Sequence, residues 1–214
     1  LTIESALAHS AAELGVELND QASSRLIAYL QLLQRWNATY NLTSVRDPDQ
    51  MLSHHLVDCL AVIRPMDEQL RVPAARVLDV GSGGGLPGVV LAIVRPRLVV
   101  TCVDTVGKKA AFIRQVGAEL GLANLRAVHQ RVEAMSGEFD LVTSRAFASL
   151  AQFCSLTRNQ LASQGLWMAM KGKRPDDEIA QLPADVDVFH VEQLPVPGLV
   201  AQRCLVWMRP RQGV

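Results

Sequence analysis

Ten residues carry the densest chemical signal in this chain: Asp79-Val80-Gly81-Ser82-Gly83-Gly84-Gly85-Leu86-Pro87-Gly88. An acid stands at the mouth of a glycine cluster, directly after the apolar run Val77-Leu78. Glycines let a backbone turn tightly and approach a ligand closely. Pro87 suits the first turn of a helix. A strand, a glycine loop and a helix in that order form a ligand loop of an open parallel sheet.

The ligand is narrowed by what surrounds the glycines. Gly83 to Gly88 satisfies G-x-G-x-x-G, which alone would also suit a dinucleotide with its pyrophosphate at the helix N-terminus. Asp79 disfavours pyrophosphate and suits a cation such as the amino-acid end of S-adenosylmethionine. No Gly-Lys-Ser/Thr follows, so a phosphate-binding P-loop is excluded. Asp104 ends the next apolar run, roughly 20 residues on, where an acid can hold ribose hydroxyls; a helix cap before Lys108 is its other reading. Arg131-Val132-Glu133 follows the third strand, a region that in methyltransferases lies beside the adenine; its other reading is a solvated turn. Thr143-Ser144-Arg145-Ala146-Phe147 ends a later strand, and Arg145 can bind a phosphate or a guanine edge with two N–H groups. Its alternative is a pairing with a core carboxylate. Neither Asp/Asn-Pro-Pro-Tyr nor Pro-Cys occurs, so exocyclic-amine and carbon-5 methylation lack their residues.

The elements that must position these residues follow from periodicity. Leu26, Leu30, Leu33 and Trp36 recur at helical spacing after a cap at Asn19 or Asp20. A polar loop is expected over 37–44, then a helix from Pro48 to Ile63 that stops before Pro65. Strands are expected at 77–80, 98–103, 125–128, 139–143 and 166–170. Helices fall between them at 87–94, 108–120 and 150–161. A closing pair at 186–191 and 203–208 has too short a connection for a helical crossover, so an antiparallel hairpin is expected at the sheet edge. The result is an α/β, Rossmann-like class I fold. It has a mostly parallel seven-stranded sheet, helices on both faces, an antiparallel edge strand and an N-terminal helical extension. Residues 1–70 form the helical segment and 71–214 the cofactor-binding core.

Bulk properties exclude several classes. The 214 residues are 49% hydrophobic and 20% charged, enough for one good core. Lys plus Arg and Asp plus Glu are each 21, so net charge neither demands nor forbids a nucleic-acid partner. The four cysteines, Cys59, Cys102, Cys154 and Cys204, form no CxxC pair, so no metal site is expected and a reducing cytoplasm fits. Leu1-Thr2-Ile3-Glu4 does not open a signal peptide, and no apolar stretch would span a bilayer. Trp36, Trp167 and Trp207 lie in apolar patterns and are expected in the core.

Taken together, several stretches resemble the ribosomal RNA small subunit methyltransferase G family, also called glucose-inhibited division protein B. They are Gly81 to Gly88, Asp104-Thr105-Val106-Gly107-Lys108-Lys109 and Ser144 to Leu150. Asn41 to Pro48, His55-Leu56-Val57-Asp58 and Lys171-Gly172 fit as well. His54 departs from the family, which would place Arg or Lys there. The resemblance implies methyl transfer from S-adenosylmethionine, leaving S-adenosylhomocysteine, to N7 of guanine 527 in the decoding region of bacterial 16S ribosomal RNA. It implies cofactor contacts at Gly81, Leu86, Val132, Glu133 and Arg145, to which the residue reading adds Asp79, Gly83, Gly85 and Asp104. N7 chemistry needs no acid, base or nucleophile, so Arg145 is the positioning candidate. Arg46, His55, Lys108, Lys109, Arg114 and Lys171, with Lys173 and Arg174, are candidates for an RNA-facing rim. His55 and Asp58 share one helix face, either at the site mouth or as a local pair. The partner is 16S ribosomal RNA in the small subunit or an assembly intermediate, the enzyme a cytoplasmic monomer without membrane contact. The rival readings are a nicotinamide-dependent oxidoreductase, a non-catalytic RNA-binding assembly factor, and a methyltransferase for a small molecule or protein.

Overall fold

A computed structural model describes residues 2–45 and 47–211. Two helices open the chain: α1 (Ile3–Glu13) and α2 (Asp20–Tyr40). Asn19 caps α2 by accepting the Ala22 N–H at 2.8 Å, a contact worth about 1 kcal/mol. Leu26, Leu30 and Leu33 are buried on its inner face, as their spacing predicts, and Trp36 packs against them in part. The helix runs on through Tyr40 and ends at Asn41 in the left-handed region, φ 50°. The polar loop expected from residue 37 therefore starts four residues later. Helix periodicity continued through Asn37, whose side chain bonds the loop that follows.

The expected single helix from Pro48 to Ile63 is instead α3 (Pro48–Met51), a π-helical turn (Leu52–Val57), α4 (Asp58–Leu60) and α5 (Ile63–Gln69). Pro65 does not end the helix. It sits in the first turn of α5, where its missing N–H has no partner to lose. Single π-turns inside helices mark functional sites disproportionately, and this one carries His54 and His55.

The sheet comprises β1 (Arg76–Val80), β2 (Val99–Asp104), β3 (Leu125–His129), β4 (Phe139–Arg145), β5 (Leu161–Lys171), β6 (Val186–Gln193) and β7 (Cys204–Pro210). Its order is β3-β2-β1-β4-β5-β7-β6. The closing pair lies at the edge as expected. Within it β7 is antiparallel to both β5 and β6, so β6 is the outermost strand. β5 begins at Leu161, five residues before its expected start, which shortens α8 (Leu150–Thr157). A short helix α9 (Asp176–Ala180) was not anticipated.

Alternation along β1 divides the core. Val77 faces the cluster built with α1, α2, α6 (Gly88–Val94) and α7 (Gly107–Glu119), whereas Leu78 and Val80 face the cluster built with α8. Trp167 and Trp207 are fully buried on opposite faces. All four cysteines are buried and free. Strand order reverses between β1 and β4. There Asp79 pairs with Thr143 and Val80 with Ser144, so the loops leaving both strands emerge side by side. Ligands of open α/β sheets bind at that point.

Candidate active site

Two cavities open at the reversal point and meet at Gly81 and Ala146, which line both. The smaller, about 320 Å³, runs over the ends of β2 and β3 and is lined by Asp104, Lys109, Arg131, Val132, Glu133 and Phe147. The larger, about 450 Å³, lies under the N-terminal segment; its lining includes Thr43, His54, His55, Asp58, Arg145 and Arg203.

Between the cavities the glycine loop is held by its own neighbours. Gly81 has φ +66°, and a Cβ there would lie 2.5 Å from Cδ2 of Phe147. Only glycine fits that backbone and that gap. Ser82 Oγ donates to the Asp79 carbonyl oxygen at 2.7 Å. Asp104 Oδ2 accepts the Gly83 N–H at 3.0 Å, and its Oδ1 accepts the Val106 N–H at 2.8 Å. Asp104 thus fixes the turn that leads into α7, whose N-cap is Val106, and also lines the smaller cavity. Tyr29 of α2 donates its hydroxyl to the Gly84 carbonyl at 2.6 Å, pinning the loop from the helical segment.

Asp79 does not line either cavity. The carboxylate is fully buried beneath the loop and its Oδ2 accepts the Gly88 N–H at 2.9 Å. Its other oxygen, Oδ1, has no hydrogen-bond partner. Burial pushes its pKa up to about 6, against the lowering effect of the Gly88 N–H and then of the nearby Ser82 hydroxyl. Direct contact with a ligand cation, expected from its place in the motif, is corrected: a side chain pointing into the α6 side of the sheet turns away from the loop's outer surface. Gly88 permits this, since a Cβ there would lie 2.8 Å from Asp79 Oδ2.

The larger cavity centres on a buried carboxylate shared by two arginines. Asp58 Oδ2 accepts from Arg145 Nη1 at 3.0 Å, and Oδ1 accepts from Arg203 Nε at 2.8 Å. Arg145 Nη1 also donates to the His54 carbonyl at 2.9 Å, an oxygen presented by the π-turn. His55 is 3% exposed and shares a hydrogen bond with the Thr43 hydroxyl at 2.9 Å through Nε2. Burial, and then the neighbouring Arg145, lower its pKa to about 4, so the ring is neutral at physiological pH. Asn37 holds the loop above, accepting the Thr43 N–H at 2.8 Å. His55 and Asp58 thus line one cavity and share Arg145, whose Nη2 lies 3.5 Å from His55 Nδ1.

The rim candidates divide. Lys108 and Arg114 are exposed on α7 but line neither cavity. Lys109 lines the smaller one, 3.8 Å from Asp104. Lys171 lines the larger, but its ammonium is held by Glu178 at 2.8 Å and by the Ala148 carbonyl at 3.0 Å. It is a brace for the loop after β4, since both its charge and its donors are taken. Likewise His55 is an interior residue rather than a surface contact. Arg46 lies outside the described residues. Lys173 is exposed, and Arg174 pairs with Asp176 at 2.6 Å.

Sequence reasoning missed Tyr29, Asn37, Thr43 and Arg203. Two signals were present. Tyr29 is a polar-tipped aromatic on the apolar face of α2, and Arg203 is a cation abutting the fully apolar start of β7.

The pieces fit S-adenosylmethionine. The smaller cavity has an acid and an apolar floor for a nucleoside, and the loop between the cavities is free of side chains at Gly81 and Gly83, where backbone must approach a ligand. Fold and site together define a class I, S-adenosylmethionine-dependent methyltransferase. Residues 22–206 match the model of the family described as rRNA small subunit methyltransferase G, and the chain belongs to that family. It is 60% identical to the ribosomal RNA small subunit methyltransferase G of Leptothrix cholodnii, covering 92% of this chain and 91% of that one. It is 55% identical to the protein of the same name from Acidovorax sp. (strain JS42), over 98% and 96%. Among solved structures, the ribosomal protein L11 methylase from Lactobacillus delbrueckii subsp. bulgaricus superposes with a TM-score of 0.56. At 14% identity, over 78% of this chain and 80% of that one, it shares the fold. The nicotinamide and non-catalytic readings are not favoured by these relationships.

Proposed function

We propose that this enzyme methylates N7 of guanine 527 in the decoding region of bacterial 16S ribosomal RNA, the substrate being the small subunit or its assembly intermediate. One observation carries the reading: Asp58 is the only carboxylate lining the larger cavity among the described residues, and both its oxygens are engaged by arginines. A chamber without a free carboxylate suits a nucleophile that has no proton to lose. When bound, S-adenosylmethionine supplies a methyl on sulfonium sulfur, released as neutral thioether while the lone pair of guanine N7 forms the new bond. The protein's task is then alignment and exclusion of water. The loop at Gly81 and Gly83, with Gly85 and Leu86 behind it, holds the cofactor's centre. Asp104, Val132 and Glu133 hold its nucleoside end. Arg145 positions cofactor and guanine at the junction. Asp79 acts through the loop it fixes. Residues 1–70 close the chamber over the core formed by 71–214. Among the described residues no helix is long and apolar enough to cross a membrane, and we read the enzyme as a cytoplasmic monomer.

The test is incubation with labelled cofactor and small subunits from a strain lacking this modification, followed by mapping of the label. Label at N7 of that guanine is expected. Cofactor binding with no label on RNA would return the substrate to a small molecule or a protein.

A further inference from the structure

Asp58 joins segments that the chain keeps far apart. It opens α4 just after the π-turn, is 1% exposed, and takes Arg145 from the end of β4 and Arg203 from the residue before β7. One carboxylate against two guanidinium groups leaves a net single positive charge inside the larger cavity. Each guanidinium has five N–H donors, more than these contacts consume. Both arginines line the larger cavity and neither lines the smaller, but they reach it from different strands. Arg145 precedes Ala146, the residue where the cavities meet, and Ala146 is held at φ 55°, which sets the direction of the chain there. Arg203 enters the same cavity away from that junction, next to Cys204, which pairs with Lys171 across the sheet.

We propose that Asp58 is a positioning residue that divides one carboxylate between two anion-binding subsites. It aims Arg145 at the carboxylate end of the cofactor and Arg203 at a phosphodiester oxygen of the nucleotide being methylated. This rests on the site being a chamber for cofactor and RNA base. A planar fork held at one edge by a carboxylate presents its remaining N–H groups in a fixed direction, which suits a second anion. Loss of Asp58 would misdirect both forks at once, whereas loss of Arg203 would affect only the RNA side.

The test measures S-adenosylhomocysteine affinity by calorimetry and the KM for undermethylated small subunits. The proteins are the wild type, Asp58→Asn, Asp58→Glu and Arg203→Gln, each checked for native circular dichroism. Asp58→Asn puts an amide donor against an arginine donor. It is expected to weaken cofactor affinity and raise the RNA KM, each by roughly tenfold or more. Asp58→Glu keeps the charge, so it folds if the variant Asp58→Asn does not, and is expected to lose both through misalignment. Arg203→Gln is expected to raise the RNA KM alone, with cofactor affinity retained. Folded Asp58→Glu or Asp58→Asn protein with both constants at the wild-type value would overturn the proposal. So would an Arg203→Gln variant whose defect is in cofactor affinity rather than KM. If the wild type binds cofactor but does not methylate the RNA, the proposed substrate falls. Cofactor affinity of the Asp58 variants then still decides the Arg145 half, and unchanged affinity there overturns it.

Discussion

The two cavities are built by opposite means. The smaller one is made almost locally: a glycine loop after β1, Asp104 at the end of β2 and Val132 after β3 line it with backbone and short side chains. The larger is assembled from segments scattered over the chain, with Thr43, His55, Asp58, Arg145 and Arg203 meeting only through the tertiary fold. The first kind of site tolerates little change of backbone shape but needs few charged partners. The second depends on a network in which each charge has an assigned neighbour, and it fails when one is removed.

The largest effects should come from striking each kind of site where it is least forgiving. Gly81→Val puts a β-branched residue at φ +66° with its Cβ 2.5 Å from the Phe147 ring. Cofactor affinity should fall by more than about a hundredfold, measured by calorimetry with S-adenosylhomocysteine. Retained affinity would mean the loop has another accessible shape. Arg145→Ala leaves Asp58 with Arg203 as its remaining partner and removes the donor to His54. Stability should drop by about 3 kcal/mol in urea unfolding, and turnover should fall with it. Full activity in this variant would strip Arg145 of its positioning role.

The same contrast explains what could be read from the sequence. Asp79 to Gly88 is contiguous and its glycines have a local steric cause, so the loop and its place after a strand were legible. Alternation and helical spacing likewise gave the sheet and the helices that cover it. Asp58 and Arg203 are 145 residues apart, and no local pattern pairs them. The π-turn at Leu52–Val57 was invisible because no residue type in that stretch marks a switch to i→i+5 hydrogen bonding. Asp79 was found but misdirected. Its motif position is local, while the side it faces is decided by the strand pleat and by the space left at Gly88.

A smaller effect separates the two regions by pH. Asp79, below the loop, has its pKa raised from 3.8 to about 6. Between those values the unfolded chain has lost a proton that the native state keeps, so stability falls as pH rises through that window. His55, in the larger cavity, has its pKa lowered from 6.5 to about 4. Between those values the unfolded chain holds a proton that the native state lacks, so stability rises with pH there. Each contribution is on the order of 3 kcal/mol with opposite sign, and they largely cancel. Removing one group should expose the other. Relative to wild type, Asp79→Asn should gain stability from pH 4 to 6, and His55→Gln should lose it over pH 4 to 6.5. Urea midpoints measured across that range would show parallel profiles for all three proteins if neither group is shifted.

The smallest expected effect tests whether the two regions are joined. Tyr29 belongs to the helical segment, yet its hydroxyl reaches the Gly84 carbonyl of the glycine loop at 2.6 Å in a buried setting. Tyr29→Phe keeps the ring and its packing near Phe112 but leaves that carbonyl without its donor. The cost should be about 1 kcal/mol of stability, read as a shift in urea midpoint. If the helical segment helps to shape the loop, cofactor affinity should fall several-fold alongside it. A variant that loses the stability yet binds cofactor as before would limit Tyr29 to holding the segment in place. The loop would then keep its shape through Ser82, Asp104, the Asp79–Gly88 hydrogen bond and its backbone bonds to Val103.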